Sequence, residues 1–316
     1  MNKKILTCLA LLFCSKFLFA QTVSDSKIES NVIYGMHGGL ALLMDVYQPK
    51  NLNGYGIIVI PGSGWHQPLS YDAKPLNSNL WYLSKVIGSD VLLKNGYTLF
   101  VINHRSAPVF RFPAAVDDAQ RAVQFIRHNA SRFNIDSVKI GALGHSSGAH
   151  LVNMLGTMDD IKDVDSESTV SRQSSKVQAV VSLSAPTDLK KFATENEGDA
   201  GAISSFLGLH IMSFWGPNHP VKEELSLFDK ASPKTHVTQD DCPFLIVHGD
   251  KDPIVPYSQA KVFENALTEN QVPTKLILVE DGGHIFEVGN SKEIKSDTYF
   301  DEIINLFDLH LRNSKE

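Results

Sequence analysis

Six short apolar runs do most to limit what this chain can fold into. They occupy residues 57–60, 98–102, 138–143, 179–183, 244–247 and 276–279. Each stops at glycine, proline or polar residues, as at Pro61-Gly62, Asn103-His104, Gly144, Ser184-Ala185-Pro186, His248-Gly249 and Glu280-Asp281. A strand with one wet face alternates apolar and polar residues, whereas a continuous run belongs to a strand covered on both faces, the mark of a parallel sheet. The intervening stretches have helical spacing. Residues 113–133 carry Ala115, Ala119, Ala122, Val123 and Ile126, with Pro113 placed to open a helix, and 258–267 and 299–311 read as helices too. The alternation predicts an α/β fold, a mostly parallel doubly wound sheet with helices on both faces. Near the start, residues 31–34 and 42–47 flank Met36-His37-Gly38-Gly39, which predicts an antiparallel hairpin at the sheet edge.

Two stretches break the alternation. Residues 157–176 are polar and charged and read as a mobile surface loop. Residues 190–230 mix polar positions with Phe206, Leu207, Ile211, Met212, Phe214 and Trp215. Two readings stay open for that insert: a cap over a site, or a satellite core under a long loop.

Lys3 and Lys4 precede a mostly apolar segment from 5 to 19, and Ala20 offers a small residue ahead of Gln21. This is the secretory pattern, too short for a comfortable membrane span. Residues 1–20 are therefore expected to be a cleaved signal, residues 21–316 one domain, and the destination secreted or periplasmic. Cys8 and Cys14 would leave with the signal, so Cys242 has no partner for an internal disulfide and reads as a small buried hydrophobe. A net charge of −6 without a basic cluster argues against nucleic acid as a partner. No later segment looks like a stable membrane insertion, and nothing in the sequence specifies an oligomeric state.

Gly144-His145-Ser146-Ser147-Gly148 lies between a predicted strand and a predicted helix at 149–155. G-x-S-x-G acquires chemical meaning in that setting: a tight strand-to-helix turn lifts the serine Oγ above the sheet. Glycines at its ends let neighbouring backbone pass closely. Ser146 is the candidate nucleophile. Ser147 is a second hydroxyl in the turn, but its useful part is the amide, free at a helix start to bind an oxyanion.

In folds built around such an elbow, an acid and then a histidine follow the serine in chain order, each after a strand. The run from His248 to Pro256 offers Asp250 and Asp252. Asp250 follows the strand at once and is expected to satisfy loop amides, so Asp252, further out, is the preferred acid. After the last strand comes Asp281-Gly282-Gly283-His284, a glycine pair that lets His284 reach back as the base. The early loop Pro61-Gly62-Ser63-Gly64-Trp65 is placed to supply the other oxyanion donors, with Ser63 and Gly64 as candidates and Trp65 as a wall of the substrate pocket. There is no H-E-x-x-H, no cysteine cluster and no phosphate-binding Gly-Lys-Ser/Thr loop, so neither metal nor cofactor is expected.

Taken together these runs resemble the esterase/lipase group of the α/β-hydrolase superfamily, in particular bacterial acetyl-esterase-like or feruloyl-esterase-like carbohydrate esterases. The resemblance rests on residues 61–65, 103–108, 112–119, 144–151, 248–256 and 282–284, and extends from about residue 31 to the C-terminus. It implies an α/β-hydrolase fold and a serine carboxylic-ester hydrolase acting through an acyl-Ser146 intermediate. The implied substrate is a small-molecule or carbohydrate ester carrying a small acyl group, acetyl or feruloyl. It also implies that Arg105 and Asp118 are scaffold for the nucleophile loop. Three positions depart from the family's usual pattern: Ser63 and Ala149 stand where glycine is common, and Ser147 where alanine is common. None removes a backbone amide, but Ser63 adds a hydroxyl near the substrate. Two other functions share the pattern: a prolyl-oligopeptidase-type serine peptidase with the same triad order, and a non-catalytic binding protein on the same fold.

Overall fold

The computed structural model describes residues 26–66, 79–195, 200–208, 225–289 and 293–312. Eight strands build one sheet: β1 (Lys27–His37), β2 (Leu40–Gln48), β3 (Gly56–Ile60), β4 (Thr98–Ile102), β5 (Ile140–His145), β6 (Ala179–Leu183), β7 (Phe244–Gly249) and β8 (Thr274–Val279). Their spatial order is β1-β2-β4-β3-β5-β6-β7-β8. β2 is antiparallel to both β1 and β4, and every later pairing is parallel. The predicted hairpin is present and longer than expected, turning through Gly38 and Gly39, both with positive φ. Helices α1 (Ala114–His128), α2 (Ser147–Thr157), α3 (Leu189–Glu195), α4 (Ala200–Leu207), α5 (Ser258–Glu269) and α6 (Phe300–Phe307) follow their strands. This is the α/β-hydrolase arrangement.

The sheet explains why the apolar runs are continuous. Ile58, Ile60, Phe100, Ala142, Val180 and Ile246 face one core, packed with Val116, Ala119 and Val123 of α1, Leu151 of α2 and Phe263 of α5. Their immediate neighbours Ile57, Val59, Leu99, Leu143, Val181 and Val247 face a second core with Ile303 and Phe307 of α6. Alternate side chains point to opposite faces, so a strand buried on both must be apolar at every position. Each such Val, Ile or Leu contributes about 1.5–3 kcal/mol on burial. β8 is the exception. It closes the sheet edge and its residues are mostly half-buried or exposed, Leu278 among them, so its apolar run is not covered on both faces as predicted.

Residues 157–176 depart from the expected mobile loop. Gln124 of α1 donates to the carbonyls of Ser171 and Gln173, and the buried Arg127 guanidinium donates to those of Ser137, Ser174 and Lys176. Asp160 accepts the N–H groups of Lys162 and Ser175. The polar composition reflects this backbone-fastening work rather than freedom. Cys242 is half-buried with its Sγ toward the Gly156 carbonyl, and burial pushes its thiol up to about 12. The predicted signal segment and Ile211, Met212, Phe214 and Trp215 lie outside the described residues. Among the described residues no helix is long and apolar enough to cross a membrane.

Candidate active site

Ser146 sits between β5 and α2 with φ 55° and ψ −125°. Its N–H still follows the sheet, donating to the Leu183 carbonyl at 2.8 Å, while its own carbonyl already accepts the His150 N–H at 3.0 Å in the helix. One residue must turn the chain from ladder to helix, which drives it into a left-handed conformation costing about 1–3 kcal/mol. The motif glycines make the turn possible: a Cβ on Gly148 would overlap the Ile60 carbonyl, and one on Gly144 would overlap the Gly148 backbone. The Ser147 N–H, first in α2, has no intrahelical acceptor.

The two candidate acids behave differently. Asp252 Oδ1 accepts the N–H groups of Ile254 and Val255 at 2.8 and 2.9 Å, and Oδ2 lies 2.8 Å from His284 Nδ1. His248 Nε2 stands 3.5 Å from the same Oδ2 and donates to the Val255 carbonyl at 2.9 Å. Burial by itself would raise the Asp252 carboxyl, but the hydrogen bonds of His248 and His284 and their charges hold it well below its ordinary value. Asp250 does not fasten the loop amides as expected. Asp252 does that work, and Asp250 Oδ1 meets no hydrogen-bond partner among the described residues. His284, with Nδ1 turned to Asp252, leaves Nε2 for the cavity that Ser146 also lines.

The early loop arrives differently from expectation at one position. The Ser63 N–H is spent on Ser147 Oγ, 2.9 Å away, so Ser63 braces the loop against the elbow instead of offering a free donor. The Gly62 N–H is likewise taken, by Tyr82 Oη at 3.1 Å. Of the three candidate donors, Gly64 and Ser147 have amides that meet no protein acceptor among the described residues. Trp65 does line the cavity, but it is itself buried. Its ring stacks on Phe206 at 4.5 Å and 14°, and its Nε1–H donates to His150 Nδ1 at 3.2 Å. Burial first of all lowers the His150 imidazole to about 4, so the ring is neutral and can accept. The Trp65 carbonyl receives the Ala107 N–H at 3.0 Å. The buried Arg105–Asp118 pair, with Nε to Oδ1 at 2.8 Å, fixes the loop after β4 that makes this contact, so it supports the early loop and not the nucleophile turn directly.

These residues surround one cavity of about 350 Å³. Ser146, His284 and the loop 62–65 form its polar side, and Tyr82, Pro186, Phe192, Ala202, Ile254, Val255 and Ile285 supply most of the rest. Phe192 of α3 and Ala202 of α4 bring the described part of the 190–230 insert over the site as a wall. Phe206 of the same insert packs on Trp65. The arrangement can deprotonate a hydroxyl through an imidazole backed by a buried carboxylate, and can receive a developing oxyanion on backbone N–H groups. Among the described residues no cluster of three His, Cys, Asp or Glu side chains could hold a metal ion.

Tyr82 was not legible from the sequence. It lies in a short helical turn, Leu80–Tyr82, continuing into Leu83–Ile87, where no apolar period is long enough to predict an element. Its hydroxyl reaches both Gly62 and His145.

The pattern of the BD-FAE family matches residues 44–267. Endo-1,4-beta-xylanase B of Butyrivibrio fibrisolvens is 28% identical over 242 residues, covering 75% of this chain and 33% of that protein. Esterase LipQ of Mycobacterium tuberculosis is 28% identical over 250 residues, covering 76% of this chain and 52% of LipQ. The chain thus spans about a third to a half of the length of these curated relatives. Among solved structures, a truncated form of a carbohydrate esterase from gut microbiota superposes with a TM-score of 0.72 at 27% identity, over 92% of this chain and 98% of that one.

Proposed function

The chain belongs to the BD-FAE family, and on that footing we propose that it is a serine carboxylic-ester hydrolase that removes small acyl groups, acetyl or feruloyl, from carbohydrate through an acyl-Ser146 intermediate. The observation that carries the reading is the 2.8 Å contact of Asp252 Oδ2 with His284 Nδ1, behind a cavity that His284 and Ser146 line together. His284 Nε2 takes the Ser146 proton as Oγ attacks the ester carbonyl carbon. Asp252 keeps the proton on Nδ1 and stabilises the imidazolium. The N–H groups of Gly64 and Ser147 receive the oxyanion, while Ser63 and Trp65 hold the loop that presents Gly64. The alcohol leaves with the proton from His284. Water, deprotonated by the same imidazole, then attacks the acyl carbonyl and frees Ser146.

The ester-hydrolase part draws support from the esterase named among the relatives. The carbohydrate part draws on the xylanase and the gut carbohydrate esterase. Export, as read from Lys3 to Ala20, belongs to the same proposal, since acylated polysaccharide lies outside the cytoplasm. A panel of acetyl, butyryl and feruloyl esters, acetylated xylan and proline-containing peptides tests it. Ester turnover with acyl release from xylan is the expected result; peptide cleavage without ester turnover would contradict it.

A further inference from the structure

We propose that Tyr82 and His145 form a positioning relay that ties the main chain of His284 to the loop 61–65, so that base and oxyanion donors are set from one buried point beside the nucleophile. The inference rests on the ester-hydrolase reading for its catalytic consequence, but its geometry stands alone.

Every bond in the relay has a fixed donor and acceptor. The His284 carbonyl can only accept, so His145 Nε2, 2.9 Å away, carries a proton and donates. Burial first, then the facing His284 ring, hold the His145 imidazole down to about 3, so the ring is neutral and has one proton to place. Nδ1 is therefore a lone pair, and Tyr82 Oη, at 2.8 Å, must be its donor. Burial pushes the Tyr82 phenol well above its ordinary value, so that proton stays in place. The Tyr82 oxygen in turn accepts the Gly62 N–H at 3.1 Å. Three bonds point one way, from Gly62 through Tyr82 and His145 to the backbone of His284, and hydrogen bonds aligned in this manner polarise one another.

The placement of His145 gives the relay its use. It is the last residue of β5 and directly precedes Ser146, so the strand that fixes the nucleophile also fixes the carbonyl of the base. The His145 and His284 rings lie 4.8 Å apart. The loop rests on the same imidazole. A Cβ on Gly62 would come within 2.7 Å of His145 Nδ1 and 2.9 Å of the Ser146 Cβ, so only glycine lets the loop lie this close. Nucleophile, base and oxyanion loop come from β5, the loop after β8 and the loop after β3. Without a shared reference, small shifts of the three would add, and misplacement of a reacting group is costly.

The test uses Tyr82→Phe, His145→Ala and their combination in the full chain. Tyr82→Phe keeps the ring but removes both the donor to His145 and the acceptor of Gly62. It should lower kcat about tenfold, the size of one ordinary hydrogen bond, with KM within about twofold and a Tm only a few degrees below wild type, the cost of leaving the Gly62 N–H and His145 Nδ1 without their partner. His145→Ala should lose at least as much, and the double variant should lose no more than His145→Ala, because residues acting as a unit are not additive. Imidazole nitrogen NMR should find His145 protonated on Nε2 and not titrating between about pH 5 and 9. A Tyr82→Phe enzyme with wild-type kcat, additive losses, or an Nδ1–H His145 would overturn the relay. A wild-type protein that hydrolyses no ester would sink the proposed function instead, and the NMR result would still decide the relay.

Discussion

Asp252 divides its carboxylate between two tasks: Oδ1 accepts the N–H groups of Ile254 and Val255, and Oδ2 meets His284 Nδ1 at 2.8 Å. The loop is thereby folded around the same group that orients the imidazole. Asp252→Asn can still serve the loop amides through its carbonyl oxygen but presents the wrong partner to His284, so kcat should fall by about 10³–10⁴-fold. Asp250, with Oδ1 unpartnered, has no such contact. Asp250→Asn should keep kcat within about threefold. Steady-state kinetics on a soluble acetyl ester decides, and the reverse ranking would reassign the acid.

Two buried neutral histidines make a prediction about acid stability. Burial holds His145 to about 3 and His150 to about 4, against 6.5 for an exposed imidazole. Below 6.5 the unfolded chain takes up protons that the folded state refuses, so stability is full above 6.5 and falls as pH drops toward the folded values. The slope is at most about 1.4 kcal/mol per pH unit for each histidine. Tm should decline from about pH 7 to 5, where carboxylates are still ionised, and the decline should be shallower in His150→Gln. A flat Tm across that interval would contradict the neutral burial of both rings.

Phe206 reaches the site through Trp65, on which it stacks at 4.5 Å. Phe206→Ala should cost about 3–5 kcal/mol of stability, as large-to-small changes in a packed core do. It should also lower kcat, because Trp65 follows Gly64 in the loop. Urea unfolding and kinetics on the same preparation test both halves. Lost stability with unchanged kcat would mean that the Trp65 packing does not set the oxyanion loop.

The sequence was most legible where one local pattern has one physical solution. Runs such as 57–60 and 99–102 are apolar at every position because both faces of β3 and β4 are buried. Gly144 and Gly148 are legible for a similar reason, since any side chain there meets backbone. What escaped depends on long-range partners. The Ser63 N–H is spent on Ser147, 84 positions away, and Tyr82 meets His145 across 63; neither pairing leaves a period or motif. Residues 157–176 misled for a related reason. Polar residues that fasten backbone to α1 and polar residues that face water have the same composition. The half-exposed β8 shows the limit of the apolar-run argument itself, because an edge strand can carry the run without the second cover.

Every catalytic step above requires Ser146 as the nucleophile, and intact-mass spectrometry after a fluorophosphonate probe measures that directly. One adduct per chain, mapped to the peptide containing Ser146 and absent in Ser146→Ala, is the predicted result. Continued labelling of the Ser146→Ala protein at the wild-type rate would contradict it.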